Sequence, residues 1–289
     1  MSKNNITSDE KFRIGSLNIL NNVDKLEERM AALVHHLKHQ KFDALALQEV
    51  LGKTETNFDV IGFLQEELGF DYSFTPEAIS VSGSPFGGNS VLSKHKFVES
   101  FALHTNIKNE PRAGIPTAVG VVNVNGRDIH ILSCHFTWGG DNEWVRLRQA
   151  EIVDAYAKRV HTEDNIILLM GDLNTVPDSS TLRYLYGLQE GTKSNGTLWV
   201  DSWKMFGHLG NEITSNPDTQ WGKDTAAFRK LIFPEIVPQR RIDYLLSYEW
   251  CYGRHGSPLS FVRFADKKVD GIEISDHYGV GSDIYVPKK

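Results

Sequence analysis

Cysteine is almost missing: Cys134 and Cys251 are the two in 289 residues. That is too few for a disulfide framework and suits a reducing compartment. Both read as small buried apolar residues. Cys134 precedes His135, but neighbours on a strand project to opposite faces, which disfavours a nucleophilic pair. No stretch approaches the roughly 20 apolar residues that a bilayer span requires, and the opening MSKNNITSDEK lacks a signal peptide's apolar centre. A cytoplasmic chain is therefore expected, with no membrane insertion and no obligate protein partner. Excess positive charge is absent too. The net charge of -6 exerts no global pull on polyanions, leaving only local patches or a bound cation to attract one.

What is present is a composition of 40% hydrophobic and 24% charged residues without low-complexity tracts, which suits a folded chain with an ample core. Flexibility is expected at residues 1–11. From Phe12 to Leu20 apolar and polar residues alternate up to the Asn21-Asn22 turn, as in a strand. From Asp24, a plausible cap, to Gln40 the positions Leu26, Met30, Leu33, Val34 and Leu37 make one helical stripe. Phe42 to Val50 is a second strand, completing a strand–helix–strand unit.

GGNSVLSK and FVESFAL read as neighbouring strands, and VGVVNVNGRDIHILSCHF as a hairpin turning at Asn125-Gly126. A helix follows from about Asn142 to Val160, with Val145, Ile152, Val153, Tyr156 and Val160 on one face, and then the strand NIILLM, so the second half repeats the first. RRIDYLLSY, PLSFVRFA and YGVGSDIYV are further strands. The expected fold is α/β, a layered α-β-β-α sandwich of two packed mixed sheets, with residues 12–289 as one domain. Two α/β domains joined near Gly139-Gly140 are the alternative, which no polar linker supports.

Six places end apolar strands with polar groups, where open α/β sheets hold ligands. These are Asn18, Glu49, His135, Asp172 with Asn174, Asp243, and Asp276-His277. Singly, Asn18 can satisfy a turn, Glu49 can cap a strand, His135 can be a core histidine, and Asp243 or Asp276-His277 can be local ion pairs. GDLN is harder to explain blandly, because a buried run ends by aiming a carboxylate and an amide at one spot. Together the set offers hard oxygen ligands and two imidazoles without a thiolate, which suits magnesium or manganese better than structural zinc.

The ordered series N…LQE…NSVLSK…H…GDLN…RIDY…SDH, from about Phe12 to Val286, resembles the endonuclease/exonuclease/phosphatase superfamily, deoxyribonuclease I-like in fold. The resemblance implies a magnesium- or manganese-dependent phosphoesterase. It implies Glu49 as the principal metal ligand, helped by Asn18 and Asp276. Asp172 would position or deprotonate the attacking water, and Asn174 would hold the phosphate or that carboxylate. His135 and His277 would donate to phosphate oxygens, and Asp243 would orient His277 and keep it protonated. Asn89 matches a pocket-lining position, with a structural strand-end amide as its alternative.

Departures narrow the branch. Val50-Leu51 follow Glu49 where repair enzymes of the exonuclease III type carry a lysine two positions on, and their YTWW-like segment is replaced by TSNPDTQWG. Bacterial members with HxxWGG, GDxNxxPDS, DSW, RRIDY and SDHxGV segments are more similar. Substrate choice is expected in the loops 75–88, 104–116, 137–144 and 207–239. There Trp138, Trp144 and Trp221 either stack on a base or sugar or pack at the rim. Arg240 and Arg241 either reach a second phosphate or serve as surface charge. The expected reaction is hydrolysis of a phosphodiester, with nucleic acid as a possible substrate. A small-metabolite phosphomonoesterase, a sphingomyelinase-like lipid phosphodiesterase and a non-catalytic binding module are the alternatives.

Overall fold

The computed structural model describes residues 6–52, 57–76, 88–110, 114–192, 197–223, 238–248 and 254–289. Cys251 and parts of three expected specificity loops (77–87, 111–113 and 224–237) lie outside the described residues.

The first unit is β1 (Lys11–Asn18), α1 (Leu26–Leu37) and β2 (Ala44–Val50). All five stripe positions expected of α1 are buried. β1 and β2 pair in parallel, as a helical crossover requires. Asp24 is not the cap. The residue before the helix is Lys25, in a left-handed conformation, and no side chain caps there. Next come α2 (Val60–Leu68), capped by Asp59 and stopped by left-handed Gly69, then β3 (Tyr72–Phe74), β4 (Gly88–Ser93) and β5 (Phe97–Leu103).

β4 and β5 are not neighbours in one sheet. β4 pairs with β2 and β3, whereas β5 pairs with β6 (Thr117–Val124). The three residues between them carry the chain across to the facing sheet, a step of about 10 Å that three extended residues can span. β6 and β7 (Arg127–His135) form the expected hairpin, with Asn125 at φ 55° and Gly126 at φ 81°. α3 (Glu143–Val160) then crosses over to β8 (Ile166–Asp172), parallel to β7. α4 (Ser180–Leu185), β9 (Trp199–Asp201), α5 (Ser202–Phe206), β10 (Asp243–Tyr248), β11 (Val262–Phe264) and β12 (Gly279–Tyr285) complete the described elements.

Two six-stranded mixed sheets result, ordered β11-β12-β1-β2-β4-β3 and β5-β6-β7-β8-β10-β9. Apolar side chains of α1 and α2 cover the outer face of one, and those of α3 and α4 the outer face of the other. Between the sheets lies a third apolar layer of Phe12, Ile14, Ala44, Ala46, Ile129, Ile131, Leu168, Met170 and Leu245 among others. The α-β-β-α sandwich is thus as expected. No helix of the described residues is long and apolar enough to cross a membrane.

Of the segment 1–11, residues 1–5 lie outside the described residues, and residues 8–11 are in regular structure. Ser8–Glu10 make a 3-10 turn, Lys11 opens β1, and Glu10 O accepts from Val286 N at 2.7 Å. Backbone pairing to the carboxyl-terminal strand supplies what composition does not.

Candidate active site

Period-two alternation puts every second residue of a strand on the inter-sheet face. Along the two parallel pairs, β1 with β2 and β7 with β8, that face runs from apolar to polar: Phe12, Ile14, Ser16, Asn18 on β1; Ala44, Ala46, Gln48 on β2; Ile129, Ile131, Ser133, His135 on β7; Ile166, Leu168, Met170, Asp172 on β8. Midway, Gln48 Nε2 donates to Ser16 Oγ (3.2 Å) and Ser133 Oγ (3.0 Å), tying the sheets together below the site. The carboxyl ends carry the candidate residues. Antiparallel β10 begins where β8 ends, and the register aligns His135 with Asp172 and Asp172 with Asp243 across three strands.

Glu49 departs from the alternation. The β2–β4 register shifts between Leu47 and Val50, and Glu49 is left-handed at φ 61°. Such a bulge re-aims a side chain, and a non-glycine residue in that conformation costs about 1–2 kcal/mol. Glu49 Oε1 accepts from Asn18 Nδ2 (2.9 Å) and Oε2 from Asn21 N (2.9 Å).

Asp172 Oδ2 is the hub. It accepts from Asn18 Nδ2 (3.1 Å) and Asn174 Nδ2 (3.2 Å), and lies 3.4 Å from His135 Nε2 and 3.8 Å from His277 Nε2. Oδ1 accepts from Asn174 N at 2.8 Å. Asn174 achieves both contacts because it is left-handed, φ 49°. The glycine of GDLN is equally constrained. Gly171 sits at φ 134°, where a Cβ would lie 2.0 Å from Cys134 O.

His277 Nδ1 and Asp243 Oδ2 are 2.9 Å apart and both residues are buried. Burial opposes the His277 charge, but Asp243 and Asp172 outweigh it and hold the pKa well above the ordinary imidazole value. The Asp243 backbone is set by Thr214 Oγ1, which accepts from Ile242 N (3.0 Å) and Asp243 N (3.1 Å). Ser275 Oγ donates to Asn18 O (2.8 Å) and accepts from His277 N (3.1 Å), locking the SDH segment to β1. Burial, and after it the nearby Glu49 and Asp172 charges, raise the Asp276 pKa, His277 acting in the opposite sense.

Asp172, Asp243 and His277 each bring one ligand atom within 4.8 Å of the others, a buried group that could hold a metal ion. Among the described residues, the polar atoms around the site that are buried without a hydrogen-bond partner include Asp243 Oδ1, His135 Nδ1 and Asn89 Oδ1. Asn89 is fixed through its Nδ2, which donates to Pro116 O at 2.8 Å. Cys134 faces the α3 side, and burial pushes its thiol up to about 12, so it offers no thiolate.

The turn after His135 is held by α3. Gln149 Oε1 accepts from Thr137 N (2.9 Å), Arg146 Nη1 donates to Thr137 O (3.0 Å) and Gly139 O (2.7 Å), and Asn142 Nδ2 donates to Trp138 O (2.8 Å). Trp138, 41% exposed, is therefore displayed on a fixed backbone three residues from His135. Trp221, by contrast, is buried, its Nε1 donating to Glu273 O at 2.9 Å.

Arg241 is not placed to bind substrate. It is buried, pairs with Asp201 at 2.6 Å, and lies between the rings of Trp203 and Tyr244. DSW and RRIDY are thus partners in one packing unit. A residue that sequence reasoning missed is Arg29, fully buried on α1. Its guanidinium donates to the carbonyls of Ile19 (2.7 Å), Ile274 (2.9 Å), Leu20 (3.2 Å), Asp24 (3.3 Å) and Asn22. It joins the turn that supports Glu49 to the segment that carries Asp276. The signal was an arginine adjoining the apolar stripe, three residues after Leu26 and one before Met30.

A fold of this kind with this set of residues defines a phosphoester hydrolase, and the chain belongs to the endonuclease/exonuclease/phosphatase family, whose sequence model matches residues 15–277. Among solved structures, TDP2 from D. rerio complexed with single strand DNA product superposes with a TM-score of 0.71 at 18% identity, covering 95% of this chain and 98% of that one. Truncated TDP2 from Caenorhabditis elegans gives 0.69 at 16%, covering 96% and 98%. An endonuclease/exonuclease/phosphatase from Bacteroides vulgatus gives 0.69 at 16%, covering 96% and 99%. At these identities the likeness is one of fold. A search of curated proteins returned no significant match.

Proposed function

We propose that the chain is a magnesium- or manganese-dependent phosphodiesterase that uses water as the nucleophile. The observation that carries this reading is the Asp172 carboxylate, buried yet set between two imidazole Nε2 atoms at 3.4 and 3.8 Å. Oriented by Asn18 and Asn174, it is placed to take a proton from water attacking in line. His135 and His277 are placed to donate to non-bridging phosphoryl oxygens as charge builds. Asp243 keeps His277 oriented and charged for that task.

Glu49, Asn18 and Asp276 fit a hard cation. Three carboxylates, Glu49, Asp172 and Asp276, gather at one end of the sandwich, and burial with the Glu49 and Asp172 charges drives Asp276 toward protonation. These residues would hold magnesium or manganese, which when bound supplies Lewis-acid stabilisation of charge on the phosphoryl oxygens. We place the ion there, because in the Asp172, Asp243 and His277 group the imidazole is held protonated by Asp243 and Asp172 and so offers a cation no lone pair.

Trp138 on its fixed turn and Asn89 beside the bulge would line the substrate channel, which suits a base-bearing diester such as nucleic acid. A phosphomonoesterase of a small metabolite is the second reading, favoured by the net charge of -6. The low cysteine content supports a cytoplasmic location. The test is turnover of bis-p-nitrophenyl phosphate, p-nitrophenyl phosphate and a single-stranded oligonucleotide with magnesium, manganese or a chelator. Metal-dependent cleavage of the diesters is expected. Unchanged activity in chelator, or cleavage of the monoester alone, would reject it.

A further inference from the structure

Two adjacent arginines, Arg240 and Arg241, precede β10, and the fold separates them. Arg241 turns inward to Asp201. Arg240 lies on a short run of backbone bridges at the rim, where Ser215 pairs antiparallel with Arg240 on one side and with His277 on the other. Bonds from Ser215 N to Arg240 O (2.9 Å) and from Arg240 N to Ser215 O (3.0 Å) fix the first pairing. Tyr278 N to Thr214 O (2.6 Å) and Asn216 N to Asp276 O (3.2 Å) fix the second.

Directly opposed residues on antiparallel strands project to the same face, with Cβ atoms about 5 Å apart. The row Arg240, Ser215, His277 therefore presents three side chains to the face that His277 uses, with Arg240 about 10 Å from the imidazole. Gln239 steadies the segment by donating to Asn216 Oδ1 and Asp218 Oδ2, both at 3.3 Å. Arg240 is half-buried, makes no ion pair with any described residue, and its Nε is buried without a hydrogen-bond partner. Among the described residues, a guanidinium so placed lacks the planar acceptor it is built to meet. Of the arginines near the site, Arg29 is committed to backbone carbonyls and Arg241 to Asp201.

We infer that Arg240 and Ser215, beside His277, form a subsite for a second phosphate, that of the nucleotide adjoining the scissile bond in a single-stranded polynucleotide. This rests on the phosphodiesterase reading for the scissile bond itself. A strand carries one phosphate for about each 3.4 Å of stacked rise, so a neighbouring phosphate falls within reach of a long side chain in this row.

The test compares wild type with Arg240→Ala and Arg240→Lys. Binding of a fluorescent oligothymidylate is followed in chelator across a salt series, and turnover with manganese is measured on the oligonucleotide and on bis-p-nitrophenyl phosphate. Loss of one phosphate contact should lower the log–log salt slope of Arg240→Ala by about 0.7, while Arg240→Lys keeps it. KM for the oligonucleotide should rise about tenfold in Arg240→Ala, with the small diester unchanged within about twofold. Equal slopes, equal effects on both substrates, or no wild-type binding at low salt would overturn the subsite. So would inorganic tripolyphosphate competing better per phosphate than the oligonucleotide, which would reassign the row to a polyphosphate. Altered slopes without turnover of either substrate would keep the subsite and reject the hydrolytic reading.

Discussion

Asp172 Oδ2 meets two amide donors and two imidazoles, so one side chain concentrates the geometry of the site. Asp172→Asn keeps the shape and removes the proposed base. Turnover should fall by at least about 100-fold, the lower range for a general acid–base group, with the melting temperature held within a few degrees. Near-normal turnover in a folded variant would move the base elsewhere. The glycine before it has a different importance. A Cβ on Gly171 would strike the Cys134 carbonyl at 2.0 Å, at φ 134°. Gly171→Ala should cost more than about 3 kcal/mol, read as a lower urea midpoint or as failure to accumulate folded protein. A wild-type midpoint would mean that β7 and β8 can part.

Between elements, the Arg241–Asp201 pair decides how β10 meets α5. Both side chains are almost fully buried, and removing one partner of such a pair leaves an uncompensated charge, at about 3–5 kcal/mol. Arg241→Ala should lower stability by that order in denaturant titration, while KM at a temperature where the variant stays folded should not move. A rise in KM without loss of stability would return Arg241 to substrate binding. Elements differ in how openly the sequence announces them. The buried stripe of α1 was legible to the residue because it is local and periodic, whereas its ends, expected at Asp24 and Gln40, fall at Leu26 and Leu37. β4 and β5 were legible as strands but not as members of opposite sheets, since partner choice depends on where the chain crosses. The short α4, α5 and β9 follow packing against α3 and β10 more than any period of their own.

Across the whole molecule, Asp243 and His277 are separated by 34 residues and meet only when β10 and the β12 approach converge on one end of the sandwich. Because Asp243 and Asp172 outweigh burial and raise the His277 pKa, the sign of the pH dependence follows. A raised imidazole is protonated up to its folded-state pKa, and both the stability it contributes and the phosphate clamp proposed for it are lost as pH rises through that value. Asp243→Asn removes the largest of the supporting charges. The alkaline limb of the kcat profile should therefore move to lower pH, and a cycle with His277→Gln should show coupling of about 0.5–3 kcal/mol. An unmoved limb together with strict additivity would reduce Asp243 to a structural carboxylate.

The sequence by itself determined which strands end in candidate site residues, because an apolar run that ends in Asn18, Glu49, His135 or Asp172 is written in consecutive letters and needs no partner to be read. It also supplied the donor set proposed for a metal, oxygen ligands without a thiolate, through the shortage of cysteine and the carboxylates at strand ends. Only the tertiary structure decided which way each side chain faces once the alternation breaks. Glu49 reaches the site through a left-handed bulge, Arg29 is drawn into a ring of carbonyls, and Arg240 and Arg241, neighbours and chemically identical, are sent to opposite fates. The physical reason is that facing is set by register with strands far away in the chain, and a slip of one residue exchanges the two faces.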